Sequence, residues 1–88
     1  MAKRESFDED MSNRIRTTKL LDLYGKLLTA NQLNVMTNYY FDNLSIIEIA
    51  ENLEISRQAV YDNIKKSKKL LEEYEEKLGF LERFYDLI

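Results

Sequence analysis

The chain of 88 residues contains no cysteine, no histidine and no proline, and its only glycines are Gly25 and Gly79. Without cysteine there is no disulfide and no thiol nucleophile. With histidine also missing, Cys/His zinc sites and imidazole bases are excluded. Apolar residues never run uninterrupted for more than two or three positions, whereas a membrane span needs about 20. No stretch reads as a secretory signal. These absences predict a soluble, cytoplasmic, non-enzymatic protein with no membrane insertion, metal or cofactor. A chain this short buries only roughly 60–65% of the surface it exposes when unfolded, so any apolar stripe left over is a suspect interface.

Breakers are scarce, so helices should dominate, with their ends marked by side-chain caps. Residues 1–12 lack periodicity and read as a flexible arm before a single domain spanning 13–88. A first amphipathic pattern holds Ile15, Leu20, Leu23, Tyr24, Leu27 and Leu28 at helical spacing. Gly25 within it marks a close backbone approach or is merely tolerated, and tolerance is the favoured reading. Thr29 with Gln32 is a capping box opening a second helix over about 30–42, with Leu33, Met36, Tyr39 and Tyr40 on one side. Ser45 with Glu48 is another, opening a short third helix whose Ile46, Ile49, Ala50 and Leu53 face inward. Ser56 caps a fourth helix that meets no breaker before Gly79. The predicted fold is therefore all-α: a compact helical bundle containing a helix-turn-helix, with a long fourth helix.

That fourth helix carries two patterns. Val60, Ile64, Ser67, Leu71, Tyr74, Leu78, Leu81, Tyr85 and Ile88 recur at spacings of four and three, like a coiled-coil seam. Its first half should pack on the preceding helices. Its distal part, with Phe80 and Phe84 beside it, meets either the first helix or a second copy of the chain. Leu78, Leu81, Phe84 and Tyr85 are the candidate homodimer contacts. Gly79 is placed to break the helix, leaving 80–88 as a separate final segment.

The second pattern is charge. Formal net charge is −3, which argues against a dedicated nonspecific polyanion binder. Segregation matters more than the sum. Arg57, Lys65, Lys66, Lys68 and Lys69 face only Asp62, whereas Glu72, Glu73, Glu75 and Glu76 crowd the next turns. The glutamates read as a solvated face, since neighbours on a helix point apart and cannot converge on a metal.

"IIEIAENLEISRQAVYDNI", residues 46–64, has helix-turn-helix spacing, with Ala50 as the small residue at the crossing and Glu54 where many such motifs have glycine. If Val60 and Ile64 point inward, 100° per residue turns Gln58, Asp62, Lys65 and Lys69 outward. The first turns of the second helix enter the major groove in a DNA-reading geometry. Arg57 and Gln58 suit base edges, guanine and adenine respectively. Tyr61, Lys65, Lys66 and Lys69 suit phosphates. Asp62 fits badly, because it repels phosphate from a central position. In an arbitrary protein a solvated face with i,i+4 pairs such as Lys68–Glu72, worth a few tenths of a kcal/mol each, would explain the lysines about equally well; here the helix-turn-helix context favours contact.

"LLTANQLNVMTNYYFDNLSIIEIAENLEISRQAVYDNIKKSKKLLEEYEEKL" resembles the YlxM-like family of small bacterial helix-turn-helix proteins. "SRQAVYDNI", residues 56–64, is the most specific part, and the likeness covers about residues 11–84. The family's motif is similar to the part of bacterial sigma factors that reads promoter −35 elements, which implies a DNA-binding, regulatory role. The family's link to the signal recognition particle implies two further partners: the particle's RNA, or its GTPase through a protein-docking role.

Overall fold

The computed structural model describes residues 11–84. In chain order it contains α1 (Met11–Tyr24), a 3₁₀ turn (Gly25–Leu27), α2 (Ala30–Tyr40), α3 (Ile46–Leu53), α4 (Arg57–Leu78) and a four-residue α5 (Phe80–Arg83). No strand occurs among the described residues, and none of their helices is long and apolar enough to cross a membrane. α1 starts at Met11, inside the stretch read as an arm; residues 1–10 lie outside the described residues.

The helix starts are built by the side chains that the sequence offers. Thr29 and Gln32 close a reciprocal capping box on α2, and Ser45 and Glu48 close one on α3. Ser56 Oγ accepts the Ala59 N–H at 3.0 Å to open α4. Each cap is worth about 1 kcal/mol. The ends differ. α3 stops at Glu54 in the left-handed region (φ 59°, ψ 44°), where the Glu54 and Ile55 N–H groups both donate to the Ala50 carbonyl. The turn is thus the one glycine would make, held by a residue for which it costs about 1–2 kcal/mol. Gly79 stops α4 at φ 68° and turns the chain back, so that α5 lies on α1.

α4 is the spine of the fold, with α1, α2 and α3 all packed against it. Val60, Ile64, Ser67 and Leu71 are wholly buried along its inner stripe, as the seam predicts. Ser67 fits there because its hydroxyl donates to Asn63 Oδ1 at 3.1 Å. They meet Leu20, Leu21, Tyr24, Val35, Met36, Ile46 and Ile49 in one core.

Two readings of the first helix are corrected. Ile15 and Leu27 are exposed, and the inward stripe is Thr17, Leu20, Leu21 and Tyr24. Ile15 lies 200° around the helix from Thr17, and the tighter 3₁₀ winding after Tyr24 rotates Leu27 to solvent. Gly25 is a close approach rather than a tolerated residue. A Cβ there would sit 3.1 Å from Leu33 Cδ1 and 3.3 Å from Leu21 Cδ1. Arg14 fastens α1 to the end of α2. It donates to the Tyr39 carbonyl at 2.8 Å and lies over the Tyr39 and Tyr40 rings.

Candidate nucleic-acid interface

Every residue from Ser56 to Ala59 is exposed, so the first turn of α4 stands clear of the bundle. Burial of Val60 and Ile64 then fixes the rotation of the helix. Gln58, Asp62, Lys65, Lys66 and Lys69 all lie on its exposed side. Lys65 and Lys69 are one turn apart, about 6 Å along the axis. Among the described residues no neighbouring helix covers this flank, which is the geometric condition that contact with a polyanion demands. Lys68, the remaining lysine of the run, is turned toward the bundle and half-buried.

Arg57, Gln58 and Tyr61 share a shallow groove of about 260 Å³ with Ile46 from the start of α3. Tyr61 is 36% exposed at its edge. The Lys65 ammonium lies 5.9 Å from the Tyr61 ring centre, near enough for a cation–π attraction that steadies both. Arg57, Gln58 and Tyr61 thus share one groove, with Lys65 and Lys69 on the turns behind it, whereas Lys66 lies about 180° around the helix from Arg57, beside the start of α2. Among the described residues no group of three or more acidic, histidine or cysteine side chains is set to hold a metal.

Two features of this surface escape the sequence reading. The Gln58 Nε2 donates to Asp62 Oδ1 at 3.0 Å; the i,i+4 spacing of an amide and a carboxylate is the sequence signal for it. The second is a polar shelf from the start of α2. Thr29, Asn31 and Gln32 face Asp62, Asn63 and Lys66 across a second groove. No local pattern announces that shelf, because it exists only once α2 packs on α4.

The carboxyl half of α4 differs. The acidic run is a solvated face only in part. Glu72 forms a bidentate pair with Arg16 of α1, at 2.8 and 2.9 Å, and that hydrogen bond raises the Arg16 pKa. Glu75 is buried. It accepts the Tyr24 hydroxyl at 2.6 Å and the Leu81 and Glu82 N–H groups at 3.0 and 3.2 Å. Tyr24 Oη in turn accepts the Phe80 N–H at 3.1 Å. Burial pushes the Glu75 carboxyl up, but these hydrogen bonds, with the Arg16 charge, outweigh it and hold the pKa below the ordinary value. Burial and the bond to Glu75 raise the Tyr24 pKa. Of the candidate dimer contacts, Leu81 packs half-buried against the core, while Leu78 and Phe84 are 40% and 48% exposed. Tyr85 lies outside the described residues.

Comparison with known proteins agrees with the all-helical helix-turn-helix fold. The family described as "Putative helix-turn-helix protein, YlxM / p13 like" matches residues 11–87. A UPF0122 protein of Exiguobacterium sp. is 55% identical over 69 residues, which are 78% of this chain and 64% of the relative. A UPF0122 protein of Shouchella clausii is 50% identical over 74 residues, 84% of this chain and 68% of the relative. One from Bacillus cereus is 54% identical over 71 residues, 81% and 64%. The chain thus spans about two thirds of the length of these relatives.

Proposed function

Because this chain belongs to the UPF0122 family of YlxM/p13-like helix-turn-helix proteins, we propose that it is a non-enzymatic nucleic-acid-binding regulator of the cytoplasm whose target is duplex DNA. The observation that carries the reading is the open flank of α4, with Lys65, Lys66 and Lys69 exposed behind an exposed Arg57 and Gln58. Arg57 and Gln58 meet base edges, and Tyr61 with the three lysines meets the backbone. DNA is favoured over the RNA of the signal recognition particle, because the deep, narrow major groove of an RNA helix does not admit an α-helix.

Three lysines on phosphate correspond to a salt slope of about −3 per protomer, which leaves a monomer weakly bound at physiological salt. Two copies would double the reach. The exposed Leu78 and Phe84 supply an apolar face for pairing, with the half-buried Leu81 at its edge. A second reading, docking on a basic protein such as the particle's GTPase, draws on the exposed Glu76 and Glu82 beside the same face.

Reversing Lys65, Lys66 and Lys69 to glutamate tests the first reading. Retention of duplex DNA at low salt should fall at least 100-fold, with the melting temperature nearly unchanged. Undiminished retention refutes the basic-flank interface. For the dimer, Leu78→Asp with Phe84→Asp should halve the sedimenting mass; a parent chain that already sediments as a monomer removes the pairing proposal.

A further inference from the structure

Asp62 is the residue that the basic flank leaves unexplained, a carboxylate at the centre of a surface otherwise suited to phosphate. Its partner in the fold is Gln58, one turn earlier, whose Nε2 lies 3.0 Å from Asp62 Oδ1. An ionised carboxylate only accepts hydrogen bonds. The nitrogen of the carboxamide, never its oxygen, must therefore face Asp62, and the polarity of the amide is set by chemistry. One N–H is engaged; a second N–H and the carbonyl oxygen remain. Both residues are exposed, and Gln58 lies in the first turn of α4, the part of such a helix that reaches base edges.

We infer that Asp62 is a positioning residue that fixes the Gln58 carboxamide as a reader of adenine in the major groove of duplex DNA, an inference that rests on the function proposed above. Adenine presents an acceptor at N7 beside a donor at N6, the complement of the N–H and C=O that Gln58 keeps. Guanine presents two acceptors there, N7 and O6, so an amide held in one polarity sets its oxygen against another acceptor. The Asp62 charge adds to that penalty, being repelled by acceptors and attracted by amino groups. It also holds phosphate away from the tip, leaving the backbone to Lys65, Lys66 and Lys69 on the turns behind. Fixing the amide in the free protein removes an ordering cost at binding. The acid that weakens overall affinity thereby sharpens selectivity.

The test incubates the full chain with a random duplex library at low salt and sequences the bound fraction. The parent should enrich adenine at one fixed position. Gln58→Ala should abolish enrichment there and nowhere else. Asp62→Ala should cut that enrichment about threefold, part of the roughly tenfold worth of one good bidentate contact, while raising affinity for unselected duplex. Asp62→Asn keeps an acceptor oxygen and should restore part of the selectivity. 7-deazaadenine at the selected position should weaken the parent by a similar factor and leave Gln58→Ala unaffected. If the parent binds duplex without an adenine position, or if Asp62→Ala selects as sharply as the parent, the positioning role is overturned and the basic-flank reading stands. If the parent retains no duplex at all, both fall together.

Discussion

The two halves of α4 are one continuous helix with one buried stripe, yet they use their charges in opposite ways. In the amino half, Lys65, Lys66 and Lys69 point away from the bundle, and the Gln58–Asp62 pair lies out in solvent. In the carboxyl half, Glu72 reaches back to Arg16, and Glu75 is drawn inside to hold Tyr24 and the first turn of α5. The lesson is positional. α5 folds back beside the carboxyl half and brings unpaired N–H groups that a carboxylate can satisfy. Among the described residues no segment folds back over the outer side of the amino half, where Gln58, Asp62, Lys65, Lys66 and Lys69 stay exposed.

Substitutions can break this comparison. The largest effect belongs to the lysine reversal, which should destroy binding and flatten the salt slope by about 3 while leaving stability alone. Next comes Glu75→Ala, its mirror image. It strands the Tyr24 hydroxyl and the Leu81 and Glu82 N–H groups, so unfolding free energy should drop by about 2–3 kcal/mol. Chemical denaturation checks this, with DNA retention unchanged in the folded fraction. Glu76→Ala, one residue on and exposed, should stay within about 0.5 kcal/mol. A Glu75→Ala effect as small as that of Glu76→Ala would erase the distinction between the halves.

Acid titration sharpens the same point. The Glu75 pKa is lowered in the folded chain, so its contribution is complete above the unfolded value of about 4.3 and is lost as pH falls through the folded one. Tyr24 is raised, so its contribution holds below about 10 and is lost as pH climbs through its folded value. Glu75→Ala should flatten the acid limb of the stability profile. The smallest effect lies at the doorway to the amino half. Glu54→Gly relieves a left-handed residue at some cost in chain entropy, and should raise stability by about 0.5–1 kcal/mol in the same denaturation assay.

Much of this was legible in the sequence because it is local. Thr29–Gln32, Ser45–Glu48 and Ser56 each satisfy orphan donors within three residues, so their helix starts need no other part of the chain. The spacing of Val60, Ile64, Ser67 and Leu71 fixed the inner stripe of α4, and hence which residues of its first half face out. α1 was harder to read. Gly25 is buried because Leu33 of α2 closes on it, and Ile15, apolar yet exposed, lies off the inward stripe of Thr17, Leu20, Leu21 and Tyr24.

The sequence by itself therefore determined an all-helical domain, its helix starts, the helix-turn-helix and the outward flank of its second helix. All of these follow from hydrogen-bond demand and helical period over a few residues. Tertiary structure alone decided that Gly25 admits Leu33, that α2 lays a polar shelf beside Lys66, and that Glu75 is a buried anchor rather than one more solvated glutamate. Those outcomes depend on which distant groups arrive unsatisfied at a given side chain. Tyr24 lies 51 residues from Glu75, and only packing brings the two together.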